Sequence, residues 1–265
     1  MLSYQHGYHA GNAADVHKHA LLAWALDYLT QKDKPLTYIE THAGRGLYDL
    51  AAPEAVKTGE AAGGIVRAEA EGWFPPDHPY LRALRAVRAR QGPTAYPGSP
   101  VLAAELLRPQ DRILLAELHP QEHAALMHAM ADRYTVIHKT DGLQLALSAT
   151  PPDPRRGLML IDPPYEVKAD YETVARIIPQ VHAKWNVGVV MLWYPILSSG
   201  AHEGMVAALQ GAEMAKTLRH EVRFPPAKDG HGMVGSGVFV VNAPFGMDDE
   251  AKRIARAFER AAANP

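Results

Sequence analysis

The sequence predicts an α/β fold: a doubly wound, Rossmann-like sheet with a small helical subdomain inserted near its start. Three observations predict it. Short, β-prone apolar runs (Leu36–Glu40, Ile113–Glu117, Tyr134–His138, Leu158–Ile161 and Gly188–Trp193) alternate with segments of helical length and period. A glycine pair, Gly44 and Gly46, follows the first run, where such a sheet brings a ligand close to the backbone. A βαβ unit spans about 30 residues, yet the second convincing strand begins only at Ile113. Residues 50–96 supply the delay, with Gly59, Gly63-Gly64, Pro75-Pro76, Pro79 and an Arg-rich run from Leu81 to Arg90. The expected layout is one sheet domain, 1–49 and 97–265, interrupted by a mainly helical insertion at 50–96.

Composition narrows the class of function. A chain of 265 residues with 47% hydrophobic and 21% charged side chains has the balance of a soluble globular protein. No apolar run approaches the roughly 20 residues that span a bilayer. Met1–His6 lacks the basic-then-apolar pattern of a leader, so no membrane segment and a cytoplasmic location are expected. Cysteine is absent, which excludes disulfides, thiolate metal sites, iron–sulfur clusters and a Cys nucleophile. The formal net charge of −2 offers no global basic field, so a nucleic acid would be held by local patches.

Taken in order, Met1–Asp15 is polar and aromatic, with Tyr4, His6, Tyr8 and His9. Val16–Thr30 reads as a helix, with Leu22, Ala25, Leu26 and Leu29 on one face and Asn12 or Asp15 as its cap. His17 and His19 fall on different faces and cannot jointly ligate an ion, so no metal site is expected. Lys18 and His19 either point toward a ligand or occupy a polar surface. After the first strand, Gly44-Arg45-Gly46 should lead into a helix; Asp49 stands where a third dinucleotide-fingerprint glycine would be, which argues against NAD. Glu40, just before this loop, is either a ligand-loop acid or a turn acceptor. Arg82, Arg85 and Arg88 share one face of an inserted helix, either as a solvated face or as a phosphate-contacting patch.

Ser99-Pro100 has the form of an N-cap followed by Pro at the first helical position, opening the helix Val101–Leu107. Glu117 ends the second strand, placed either to accept the ribose hydroxyls of an adenosine-containing cofactor or to sit at a turn. Asp141-Gly142 follows the next strand, with Asp141 suited to an adenine amine and Gly142 to close backbone approach. Leu218–Phe224 and Val238–Asn242, joined by a Gly-rich turn around 230–237, should form an antiparallel hairpin at the sheet edge. A last helix carries Arg253 and Arg256, both expected exposed.

The strand Leu158–Ile161 ends in Asp162-Pro163-Pro164-Tyr165. Two prolines stiffen the loop and remove two N–H donors, Asp162 adds a carboxylate acceptor, and Tyr165 adds a flat face. The tetrapeptide resembles the signature of S-adenosylmethionine (SAM)-dependent methyltransferases acting on exocyclic amines. Glycine loop, acid, Asp-Gly pair and Asp-Pro-Pro-Tyr on successive strand ends together indicate a class I methyltransferase architecture, because ligands of open parallel sheets gather at the strands' carboxyl ends.

The resemblance is closer still. Met1-Leu2-Ser3-Tyr4, His9-Ala10-Gly11-Asn12, Ala14-Asp15-Val16, Thr41-His42-Ala43-Gly44, Tyr96-Pro97-Gly98-Ser99-Pro100, Glu117-Leu118-His119-Pro120 and Ile161-Asp162-Pro163-Pro164-Tyr165-Glu166 are similar to the RlmJ family of 23S ribosomal RNA adenine-N6 methyltransferases. That resemblance implies SAM as methyl donor and SAM contacts at His19, His42, Ser99, Glu117, Asp141, Gly142 and Asp162, beside the glycine-loop Gly44. It implies rRNA contacts at Tyr4, with His6 and Lys18 behind it, while Pro163 and Tyr165 would hold the adenine and Asp162 would be catalytic. Arg45 stands where a small residue is expected in the glycine loop. The implied partner is 23S rRNA, with no obligate protein partner evident. Two alternatives remain: a DNA adenine-N6 methyltransferase, for which no second recognition domain is apparent, and a non-catalytic RNA-binding accessory, against which the cofactor series speaks.

Overall fold

The computed structural model describes residues 5–167, 169–226 and 232–263, so Tyr4 lies outside the described residues. Helix α1 (Ala13–Thr30) is capped by Asn12, whose side chain accepts the Asp15 N–H at 2.9 Å. Strand β1 (Thr37–Glu40) follows and is fully buried. The glycine loop then opens into a short strand β2 (Leu47–Asp49), and not into the helix expected there. The excursion continues through α2 (Pro53–Thr58), α3 (Arg67–Ala70) and α4 (Pro79–Gln91), and returns along β3 (Ala95–Pro97), antiparallel to β2. At the foot of this stem the Gly98 N–H donates to the Gly46 carbonyl at 2.8 Å. The helix that completes the first β–α–β crossover is therefore α5 (Ser99–Leu106).

The remaining elements alternate: β4 (Arg112–Ala116), α6 (Pro120–Ala129), β5 (Thr135–His138), α7 (Gly142–Ser148), β6 (Gly157–Ile161), α8 (Ala169–Lys184), β7 (Val189–Leu197) and α9 (Glu203–Gly211). Strands β8 (Leu218–Arg223) and β9 (Met233–Val241) and helix α10 (Met247–Ala263) end the chain. The seven-stranded sheet runs β5-β4-β1-β6-β7-β9-β8. Only β9 opposes the direction of the others, since it pairs antiparallel with both β7 and β8. This is the class I methyltransferase arrangement expected from the strand tips, with the hairpin at one edge. Part of the expected Gly-rich turn is strand instead: Gly235 and Gly237 lie within β9. A Cβ on Gly237 would sit 2.1 Å from the Tyr194 ring, which covers that position from β7.

Both sheet faces are covered, which is why the parallel strands are continuously apolar. Leu158 and Leu160 of β6 join α1, α5 and α10 on one face, while Met159 and Ile161 join α7, α8 and α9 on the other. The excursion shares the first core, contributing Ile65, Ala68, Trp73, Phe74 and Tyr80. Arg253, expected exposed, is half-buried: it holds Glu250 in an ion pair and donates to the Trp73 carbonyl at 3.1 Å, while Arg256 is exposed. Among the described residues, no helix is long and apolar enough to cross a membrane.

Candidate active site

A cavity of about 500 Å³ opens over the carboxyl ends of β1, β4, β6 and β7, within the range of small-molecule sites. Its lining includes every described candidate residue. His19, His42, Gly44, Ser99, Glu117, Asp141 and Gly142 share that lining with His6, Lys18, Asp162, Pro163 and Tyr165.

The glycine loop is shaped by its neighbours. Gly44 has φ +60°, a left-handed conformation that favours glycine, and its N–H donates to the Glu117 carboxylate at 2.8 Å. The other Glu117 oxygen accepts the His119 N–H at 2.7 Å. Burial raises the Glu117 pKa above its ordinary value, with these two N–H donors pulling the other way. Arg45 turns away from the cavity floor and forks onto Glu122, Nε and Nη2 at 2.9 and 2.8 Å. That outward fork explains how a long side chain fits a loop where a small one is expected.

Beneath the loop sits Glu40, fully buried, accepting hydrogen bonds from the Ser99 hydroxyl and from the Tyr38 hydroxyl at 2.8 Å. Burial pushes its carboxyl up to about 8, although both hydroxyl bonds favour the ionised form. Ser99 is not the N-cap of α5. Gly98 occupies that position, and the Ser99 hydroxyl, one residue into the helix, is directed to Glu40. Asp141 caps α7 by accepting the Leu143 and Gln144 N–H groups at 2.8 and 3.0 Å. Gly142 is required by packing: a Cβ there would lie 1.7 Å from the Thr41 carbonyl oxygen.

The second half of the cavity centres on a buried chain of charges. Lys18, its side chain 5% exposed, places Nζ 2.6 Å from Asp162 Oδ2 and 3.2 Å from Asp15 Oδ1. Burial alone would lower its pKa; the two carboxylates outweigh burial and hold the ammonium well above its ordinary value. Lys18 therefore does not occupy a polar surface: it lines the cavity with its ammonium held between two carboxylates. Asp15 also receives the Gly11 N–H at 2.9 Å and lies 2.9 Å from His6 Nε2. Burial works to raise the Asp15 pKa, yet the adjoining His6 and Lys18 hold it well below the usual carboxylate range. His19 Nε2 lies 3.9 Å from Asp15, but burial pushes this imidazole down to about 3, so the contact is not an ion pair at neutral pH. Its Nδ1 is 2.9 Å from the Tyr96 hydroxyl.

Tyr165 adopts φ +52°, donates its hydroxyl to the Trp193 carbonyl at 2.9 Å, and sets its ring 4.4 Å from Tyr171. Lys18 Nζ lies 5.5 Å from the centre of the Trp193 indole, whose Nε1–H donates to Ser236. Sequence reasoning gave Asp15 no role beyond a cap and Trp193 none beyond ending a strand; Asp15 gathers His6, Gly11 and Lys18 from its own stretch of chain, while Trp193 meets Lys18 from far along it. The Arg82, Arg85 and Arg88 face is not part of this cavity. Arg82 is ion-paired with Asp27, Arg85 donates to the Pro76 carbonyl, and Arg88 meets Glu69 at 2.7 Å. Among the described residues, no group of three or more His, Asp or Glu side chains is placed to hold a metal ion.

Comparison with known proteins agrees with the geometry. The family model described as "Ribosomal RNA large subunit methyltransferase D, RlmJ" matches residues 33–265. A protein of Escherichia coli K12 named "Ribosomal RNA large subunit methyltransferase J" is 37% identical over 256 residues, covering 96% of this chain and 91% of the relative. Its namesake from Haemophilus influenzae is 39% identical over 257 residues, covering 96% and 92%. A crystal structure of a Legionella pneumophila protein superposes with a TM-score of 0.86 at 33% identity, covering 96% of this chain and 94% of that one.

Proposed function

We propose that this chain, which belongs to the RlmJ family of large-subunit ribosomal RNA methyltransferases, is a SAM-dependent enzyme that methylates the N6 amine of one adenine in 23S rRNA. The observation that carries the reading is the convergence of Asp162, Pro163, Tyr165 and Lys18 with the glycine loop, Glu117 and Asp141 around one cavity. Its size suits a nucleoside-bearing cofactor together with a base, and its donor set matches both. Glu117 is the acceptor for ribose hydroxyls, Asp141 and the neighbouring backbone at Gly142 face the adenine moiety, and His19, His42, Gly44 and Ser99 shape the wall between them. SAM supplies an electrophilic methyl on a cationic sulfonium.

Adenine N6 is a poor nucleophile because its lone pair is delocalised into the ring. The Asp162 carboxylate and the Pro163 carbonyl accept the two amine hydrogens, which favours a pyramidal nitrogen with its lone pair free to attack in line. Lys18 holds Asp162 Oδ2 and so fixes the carboxylate's orientation before the base arrives. Asp162 then takes the proton released when N6 is methylated, which restores a neutral amine. Tyr165 offers its ring to the adenine, and base–aromatic stacking is worth about 1–3 kcal/mol. The target base must leave its helix or loop to enter. His6, on the cavity lining and 2.9 Å from Asp15, is the rRNA contact proposed among the described residues, and Tyr4 is the one proposed outside them. The enzyme works in the cytoplasm, where 23S rRNA is its partner.

Mass-spectrometric mapping of 23S rRNA from cells lacking the protein tests this. One adenosine should lose its N6-methyl group, and the wild-type protein, but not Asp162→Ala, should restore it. An unchanged methylation map would overturn the assignment.

A further inference from the structure

Beside the first cavity lies a second, of about 270 Å³, bounded by the excursion, α10 and the end of β8. The two adjoin: Asn12, Glu60 and Met233 line both. The second is walled by aromatic rings. Trp73 and Phe258 are buried with centroids 4.8 Å apart, and Phe224, half-buried, lies 6.2 Å from Phe258. Trp73 is held in place through its Nε1–H, which donates to Glu71 at 2.8 Å. At the rim Arg223 is exposed and makes no ion pair among the described residues. The one acid on this lining among the described residues, Glu60, has its carboxylate engaged by His9 Nδ1 at 2.9 Å and by the Asn12 amide at 3.0 Å.

We propose that this second cavity takes the base of the nucleotide next to the target adenosine, with the Arg223 guanidinium on the adjoining phosphate. The inference rests on the RNA-methylating reading of the first cavity and adds a determinant of sequence choice to it. Sequence-specific RNA recognition works on unstacked bases, laid against aromatic rings while cations fix the backbone. The partly exposed Phe224 ring, backed by the buried Trp73 and Phe258 and with a cation beside it at the rim, has that construction next to the site of the extruded adenine. The chain's overall charge of −2 makes such a local contact the more necessary.

The test uses the full-length protein and a synthetic RNA fragment carrying the mapped adenosine. Arg223→Glu and Phe224→Leu should each raise KM for the RNA about tenfold, leaving kcat at saturating RNA and the calorimetric affinity for SAM within twofold of wild type. An RNA with an abasic site at the neighbouring position should show the same rise with the wild type, and little further rise with Phe224→Leu. Wild-type KM values in both variants, or abasic and Phe224→Leu losses that simply multiply, would overturn the subsite while leaving the methyl-transfer assignment intact. A wild-type protein that methylates no such fragment would instead overturn the assignment, and the subsite with it.

Discussion

Lys18 and Asp162, 144 residues apart in the chain, meet at 2.6 Å on the wall of the cavity. The same ammonium lies 3.2 Å from Asp15, so one cation compensates two carboxylates in a largely buried position. Removing one partner of a buried ion pair costs about 3–5 kcal/mol, because the remaining charge loses its compensation. Lys18→Met should therefore lower the thermal midpoint markedly, and Lys18→Met combined with Asp15→Asn should recover part of that loss. Differential scanning calorimetry of the two variants checks this; equal midpoints for the single and double variants would count against the shared-cation arrangement.

Asp162→Asn keeps the shape and removes the carboxylate. Turnover on rRNA should fall by about 10²–10⁴-fold, the usual contribution of a positioned acid or base. SAM affinity, measured by calorimetry without RNA, should change far less. A variant that retains wild-type turnover would show that the carboxylate charge is dispensable.

Glu40 carries a pH dependence with a defined sign. Its folded pKa, about 8, stands above the ordinary 4.5, so the folded state binds a proton that the unfolded chain has released across this interval. Its contribution to stability therefore declines as pH rises from about 4.5 to 8, by an amount on the order of a few kcal/mol. Glu40→Gln should remove that slope. Urea midpoints of wild type and variant at pH 5 and pH 8 would reveal it, and parallel pH dependences would refute it.

Gly142→Ala would force a methyl group against the Thr41 carbonyl, at 1.7 Å before any adjustment. Backbone must move, and overpacking of this kind costs about 1–3 kcal/mol or more. Because Asp141 caps the same helix turn, SAM affinity should fall along with stability. Calorimetric titration with SAM and a thermal melt of the same preparation measure both.

Arg82→Ala probes the alternative use of the inserted helix. Its guanidinium is already paired with Asp27 at an exposed position, where such pairs contribute about 0–1 kcal/mol. The variant should keep its KM for rRNA within twofold and its melting point within a few degrees. A large rise in KM would restore the Arg face as an RNA contact.

The strand tips are legible in the sequence because parallel strands announce themselves as short apolar runs and the polar residues ending them stand out. Asp162, Glu117 and Asp141 are found that way. What escapes is whatever depends on distant partners. Asp15 reads as a helix cap, yet in the fold its carboxylate shares Lys18 with Asp162, 144 residues beyond that lysine. Ser99 reads as a cap because Ser-Pro opens many helices, while its hydroxyl is directed to Glu40 from a different strand. Gly235 and Gly237 read as a turn, since nothing local reveals that the Val222 carbonyl crowds the first and the Tyr194 ring the second. The helix expected after Gly46 is displaced for a related reason: β2 has a pairing partner in β3, far along the chain, and that pairing prevails over the local pattern.

The hydrogen bond from Gly98 to Gly46 brings the chain back to the point it left. The path from β1 to α5 is thus independent of how much polypeptide lies between, and doubling a loop's length adds only about 0.6 kcal/mol of closure entropy. Growth or trimming at the exposed turns of the excursion leaves Glu40 facing Ser99. Evolution can therefore remodel the outer surface of this enzyme without retuning its chemistry, and a designer seeking to redirect it has a natural graft point.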